Sequence, residues 1–275
     1  MRKFVLLVAL LAVSLITLIP SANAKTQQGI MIDGDHGKLA AIIQTPDGRS
    51  QYPMVIICHG FTSQKEYVLL KELADDLEAA GIASIRFDFN GHGESEGRFQ
   101  DMTVRNEIED AKKVFDYVRK LPEVTTISIA GHSQGGVVAS MVAGELSDKI
   151  KSVVLFAPAA VLREDSIRGN LFGVQFNSLN PPEYVEILGG HKVGRNYALV
   201  ARELPIYEVA SQYRGPACMI HGTGDTIVPY TYSLRYAEIW KDSELHIIPE
   251  WDHSFRGHET EAAKIAADFF SKIVK

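Results

Sequence analysis

Two spacings of hydrophobic residues take turns along the chain. Short runs that are apolar at nearly every position, such as MVIIC (54–58), IASI (82–85), SVVLF (152–156) and ACMI (217–220), fit strands of a sheet covered on both faces. Between them, longer stretches repeat hydrophobics at helical spacing. Over 66–81, Leu69, Leu70, Leu73 and Leu77 share one face and Gly81 supplies the stop. Over 104–121, Val104, Ile108, Ala111, Phe115 and Val118 line up, and the helix ends before Pro122. Further helices are expected over 134–146, 232–240 and 259–274, and an opening hairpin over 29–45. This alternation predicts an α/β fold: a mostly parallel sheet with right-handed crossovers and helices on both faces.

One stretch breaks the rhythm. From Pro158 to about Tyr213 the pattern is irregular, and NSLNPPEY (177–184) and GGHKVGRN (189–196) are rich in turn formers. An ordinary crossover is far shorter. The stretch carries Phe172, Phe176, Tyr184, Tyr197 and Tyr207, and is expected to form an inserted lid, about 158–213. The first 24 residues read differently again. A basic start (MRK), an apolar run over 4–19 and a small-x-small ending, Ala22-Asn23-Ala24, predict a secretory signal peptide cleaved before Lys25. Residues 25–275 are then one domain, and the protein is expected to be secreted or periplasmic.

Charge narrows the partners. Removing Arg2 and Lys3 with the leader leaves 26 basic against 34 acidic residues, net −8 instead of −6. A mildly acidic surface argues against nucleic acid or an anionic membrane as partner. Cys58 and Cys218 both lie in apolar strand-like runs and read as buried thiols, although an oxidising compartment would permit pairing of neighbours. No cysteine or histidine spacing marks a metal site.

The chemistry gathers at strand ends. GHSQG (131–135) is a G-x-S-x-G motif between an expected strand and an expected helix, the context that makes Ser133 a candidate nucleophile. A serine hydroxyl needs a base, and the base needs an acid to orient it. Asp225, in TGDTIVP after one strand, and His253, in WDHSF after the last, stand in the required order. Asp252 is too near in sequence to orient its neighbour easily; Glu164 and Asp165 are rival acids in the insertion. Among the other histidines, His246 is expected to pack within a strand, His221 to be structural, and His36 and His258 to lie in surface turns. The oxyanion of an acyl-transfer intermediate requires backbone N–H donors, expected from Gln134 and from Phe61 in CHGFTS. NGHGESEG (90–97) does not fit a phosphate loop and reads as structure beneath the site.

Together HGF (59–61), DFNGHGES (88–95), GHSQGG, GTGDTIVP and DHSF (252–255) resemble the α/β-hydrolase fold over nearly the whole mature chain. Within that fold the chain resembles the bacterial feruloyl (cinnamoyl) esterases, through GHSQGG, an insertion opened by APAA (157–160) and a return at LPIYE (204–208). The resemblance implies a cofactor-free serine esterase acting on small hydroxycinnamate esters, including esterified plant polysaccharide fragments. By position it implies that Asp165 and Tyr197 bind the phenolic hydroxyls. Phe172 departs from the polar residue expected there. The alternatives are a monoacylglycerol lipase or lysophospholipase, and a non-catalytic binding protein that has kept the fold.

Overall fold

The computed structural model describes residues 26–187 and 189–274, so the expected signal peptide lies outside the described residues. The chain opens with strands β1 (Thr26–Asp33), β2 (Lys38–Thr45) and β3 (Tyr52–Cys58), then helix α1 (Val68–Ala79). Strand β4 (Ala83–Phe87), α2 (Val104–Val118), β5 (Val124–His132), α3 (Gln134–Leu146) and β6 (Val153–Phe156) follow in strict alternation. The insertion holds α4 (Val161–Arg168), two small ribbons, β7 (Asn170–Leu171) with β8 (Val174–Gln175) and β9 (Tyr184–Glu186) with β10 (Lys192–Gly194), and then α5 (Arg195–Ala201) and α6 (Ile206–Ala210). Strand β11 (Ala217–Gly222), α7 (Thr231–Ile239), β12 (Glu244–Ile248) and α8 (Glu259–Val274) complete the chain.

The main sheet runs β1-β2-β4-β3-β5-β6-β11-β12. Only β1–β2 and β2–β4 are antiparallel; every later pair is parallel. Alternate residues of each parallel strand feed two separate cores. Met54, Ile56 and Cys58 of β3 join the core under α2 and α3, while Val55 and Ile57 join the core under α1 and α8. Burial on both faces is why these strands read as continuous apolar runs.

The order β4-β3-β5 places a reversal of winding between β3 and β5, with α1 and α2 on opposite faces. In open parallel sheets the crevice at such a point, beyond the carboxyl ends of the strands, is where ligands bind. The insertion is more ordered than its turn-rich sequence suggested. Its last helix, α6, packs on α3 and buries Ile206 and Ala210 in the main core, so the irregular part ends earlier than residue 213.

Candidate active site

Ser133 sits between β5 and α3 with φ 56° and ψ −122°, in the left-handed half of conformational space that a non-glycine residue rarely enters. Neighbouring glycines make that turn possible. A Cβ on Gly131 would collide with the Gly135 carbonyl oxygen, and one on Gly135 with the His59 carbonyl oxygen. The turn holds the Ser133 hydroxyl at the C-terminal edge of β5, ahead of the positive end of α3.

His253, in the loop between β12 and α8, places Nε2 2.8 Å from Ser133 Oγ. Its Nδ1 lies 2.7 Å from Asp225 Oδ2, in the loop after β11. Three side chains from three strand ends thus form one continuous hydrogen-bonded line. The other Asp225 oxygen, Oδ1, accepts backbone N–H bonds from Ile227 at 2.8 Å and Val228 at 2.7 Å. Burial alone would raise this carboxyl's pKa, but hydrogen bonds from His221 and His253, with the histidine charge, hold it well below the ordinary carboxylate range. Asp252 takes no part: its Oδ1 accepts the Ser254 and Arg256 amides.

The segments that carry Gln134 and Phe61 both lie beside Ser133. Gly136 and Val137 donate their amides back to Ser133 O, while Gln134, the first residue of α3, contributes one of the first-turn N–H groups that have no intrahelical acceptor. Phe61 follows Gly60, where an added Cβ would come within 3.0 Å of Ser133 Cβ, so this loop lies directly against the nucleophile. Behind it, His59 accepts the Phe89 amide at Nε2 (3.1 Å), which leaves Nδ1 to donate to Gly60 O at 2.8 Å. Burial keeps that imidazole neutral, far below its usual pKa.

Two chambers meet at Ser133, and Phe61, Thr62, Phe172 and Ile227 line both. The one beneath the lid encloses about 660 Å³ and includes Asp165, Arg168, Tyr197 and Gln134. Burial raises the Asp165 carboxyl above its ordinary pKa. Asp165 and Tyr197 therefore do share a chamber, but the Tyr197 hydroxyl donates to Gln134 Oε1 at 2.7 Å. Phe172 stacks on Phe61 with ring centroids 5.0 Å apart, and both rings line both chambers. The second, of about 750 Å³, runs past Gln64, Glu66, Tyr67, His132 and Ser254.

Three residues make contacts that the sequence does not disclose. His132 donates Nε2–H to the His253 carbonyl at 2.9 Å, pinning the loop that carries the base; burial, then the neighbouring His253, bring its pKa down to about 3. His221 bonds to Asp225 Oδ2 at 3.0 Å, a contact that appears only once the loop after β11 folds back. Glu107 of α2 accepts from Gln134 Nε2 at 2.8 Å, and burial pushes its pKa up to about 8. The signal for Glu107 was present: it lies next to Ile108 on the buried face of an amphipathic helix. Cys218, Glu244 and His246 place ligand-type atoms within 4.8 Å of one another across the register of β11 and β12, near the amino ends of those strands and far from the triad. No sequence spacing could reveal that group, because its members come from two strands.

Residues 50–180 match the family described as serine aminopeptidase, S33. Est1E from Butyrivibrio proteoclasticus, solved with ferulic acid bound, superposes with a TM-score of 0.86 at 32% identity, covering 89% of this chain and 99% of that one. Mouse α/β-hydrolase domain-containing protein 10 shares the fold at a TM-score of 0.69 and 18% identity, covering 90% of this chain and 98% of that one. Among curated sequences, an uncharacterised 31.7 kDa protein of Escherichia coli is 33% identical over 100 residues, 36% of this chain and 35% of that protein. The chain thus spans about a third of the length of the curated relatives it first matches.

Proposed function

Since the chain belongs to the α/β-hydrolase family of serine hydrolases, we propose that it is a carboxylic ester hydrolase whose preferred substrates are hydroxycinnamate esters. Ser133 Oγ attacks the ester carbonyl while His253 Nε2 takes its proton, and Asp225 holds Nδ1–H and offsets the imidazolium charge. The amides of Phe61 and Gln134 receive the oxyanion, which develops only as the tetrahedral intermediate forms. His253 then protonates the leaving alcohol, and water repeats the cycle on the acyl-enzyme. The observation that carries this reading is the unbroken line Ser133–His253–Asp225 at the mouth of the lid chamber.

The preference for an aromatic acyl group rests on that chamber and on the likeness to Est1E. Phe61 and Phe172 supply flat faces near Ser133, while Asp165 and Tyr197 provide polar groups for ring hydroxyls. A long alkyl chain would have to lie against Asp165, Arg168 and Asn170, which line the same space. The test compares kcat/KM for methyl ferulate with that for a medium-chain p-nitrophenyl ester. Preference for ferulate supports the reading, whereas preference for the alkyl ester replaces it with a lipid-directed hydrolase. In Ser133→Ala, both activities fall by at least about a thousandfold.

The export expected from residues 1–24 puts the substrate outside the cytoplasm. Mass spectrometry of cell fractions, reading a mature amino terminus at Lys25, tests that expectation.

A further inference from the structure

The carboxylate of Asp225 serves two imidazoles. Its Oδ2 lies 2.7 Å from His253 Nδ1 and 3.0 Å from His221 Nε2. The same His221 Nε2 lies 3.0 Å from Val228 O. Both of its neighbours are acceptors, so His221 Nε2 carries a hydrogen and shares it between them. On the other side of the ring, Nδ1 meets the Ser233 hydroxyl at 2.7 Å. His221 and Ser233 are both fully buried, one at the end of β11 and the other in α7.

We propose that His221 is a positioning residue for the triad: it holds the Asp225 carboxylate through the same oxygen that His253 uses and limits how strongly that carboxylate attracts the proton of the catalytic imidazole. The proposal rests on the reading of Ser133, His253 and Asp225 as the working triad. Asp225 Oδ1 is held by two backbone amides and Oδ2 by two imidazole N–H groups, so the carboxylate can neither turn nor change partners. Negative charge that is shared with a second donor is less available to the first. With the hydrogen on Nε2, the Ser233 hydroxyl donates to Nδ1 and holds the ring in place, and the bond to Val228 O closes the loop that presents Asp225. His221 is therefore built into the floor of the site without touching substrate.

The titratable groups around His253 are Asp225 and His221 from the β11 end, His132 from the elbow, whose ring centroid is 5.1 Å away, and Tyr67 just before α1, which donates its hydroxyl to Ser254 O. Of these, only His221 shares an oxygen of Asp225 with the base. Removing its N–H leaves Oδ2 more basic, and a more basic carboxylate holds the imidazolium proton more tightly. The acid limb of the pH profile must then move up.

The experiment measures kcat, KM and the pH profile of kcat/KM on p-nitrophenyl acetate for the parent, His221→Leu, His221→Gln and Ser233→Ala, with thermal unfolding of each. In His221→Leu, kcat falls about tenfold or more at little change in KM, and the acid limb rises by about half a pH unit. His221→Gln, which keeps a side-chain N–H near the same place, recovers most of both effects. Ser233→Ala moves the limb the same way by less, and carries the test if His221→Leu shows no cooperative unfolding. An unmoved limb in the folded variants, or equal losses in the Leu and Gln variants, would reduce His221 to a packing residue and overturn the proposal. Parent-like turnover by Asp225→Asn would instead sink the triad reading, an outcome independent of position 221.

Discussion

Tyr197, on the lid helix α5, donates its hydroxyl to Gln134 Oε1 at 2.7 Å, so the lid is tied to the residue that follows the nucleophile. Gln134 passes the connection on, donating Nε2 to Glu107 Oε2 at 2.8 Å. The lid chamber and the residue after Ser133 therefore share one buried chain of side chains. Tyr197→Phe leaves Gln134 Oε1 without its partner, and a buried acceptor left unpaired costs about 1–3 kcal/mol. Chemical denaturation should register that loss, and KM for methyl ferulate should rise more than kcat falls. A variant as stable as the parent with the same KM would show that the lid is not held this way.

Glu107 gives stability a dependence on pH. Its folded-state pKa, about 8 against an ordinary 4.5, means that the native state holds this proton longer than the unfolded chain does. Stability must then fall as pH rises from about 4.5 to about 8, and level off above that. Glu107→Gln removes the dependence, so the variant's advantage over the parent should grow across that window to a few kcal/mol. Unfolding free energies measured at pH 5, 7 and 9 check this, and parallel curves for the two proteins would contradict it.

Asp225 acts in the opposite direction. Its pKa lies below the unfolded value of 3.8, so its contribution is complete above that pH and is lost as acid protonates the native carboxyl. Asp225→Asn should flatten the acid side of the stability curve. The same variant should lose about 10³- to 10⁴-fold in kcat, because the amide can no longer hold His253 in the tautomer that accepts the serine proton. Retention of more than a tenth of parental kcat would count against that role.

Gly135 faces the backbone that follows β3 so closely that a Cβ would overlap the His59 carbonyl oxygen, a rigid atom that cannot step aside. Gly135→Ala should therefore push β3 and α3 apart and cost at least about 2–3 kcal/mol. On the proposed mechanism activity should fall further than stability, since the shift moves the Phe61 amide away from Ser133. Thermal unfolding together with fluorophosphonate labelling rates separates the two losses.

The parts of the candidate site that the sequence makes legible are those fixed by local geometry. Glycines two residues to either side of Ser133 at a strand–helix junction mark a tight turn in the sequence itself, and Asp225 and His253 stand out because each follows a strand ending at the same edge. His221 reads only as structural in the sequence, because its bond to Asp225 depends on the loop from 223 to 230 curling back until Val228 O and Asp225 Oδ2 face one ring nitrogen. Tyr197 was placed near the acyl group by resemblance, yet its bond to Gln134 joins residues 63 apart, a distance that no periodicity spans. The lid looked irregular because its order comes from packing. Its ribbons are two or three residues long, too short to leave a repeating pattern.

Cys58 belongs to the core beneath α2 and α3, and Cys218 to the core beneath α1 and α8, with β5 and β6 between their strands. The two sulfurs thus face away from each other across the thickness of the sheet, and both remain thiols. Maturation accordingly calls for neither an oxidant nor an isomerase, and the folded enzyme should keep full turnover in millimolar dithiothreitol. Production of residues 25–275 in a reducing host should yield the same catalyst, a practical freedom that disulfide-cross-linked proteins lack.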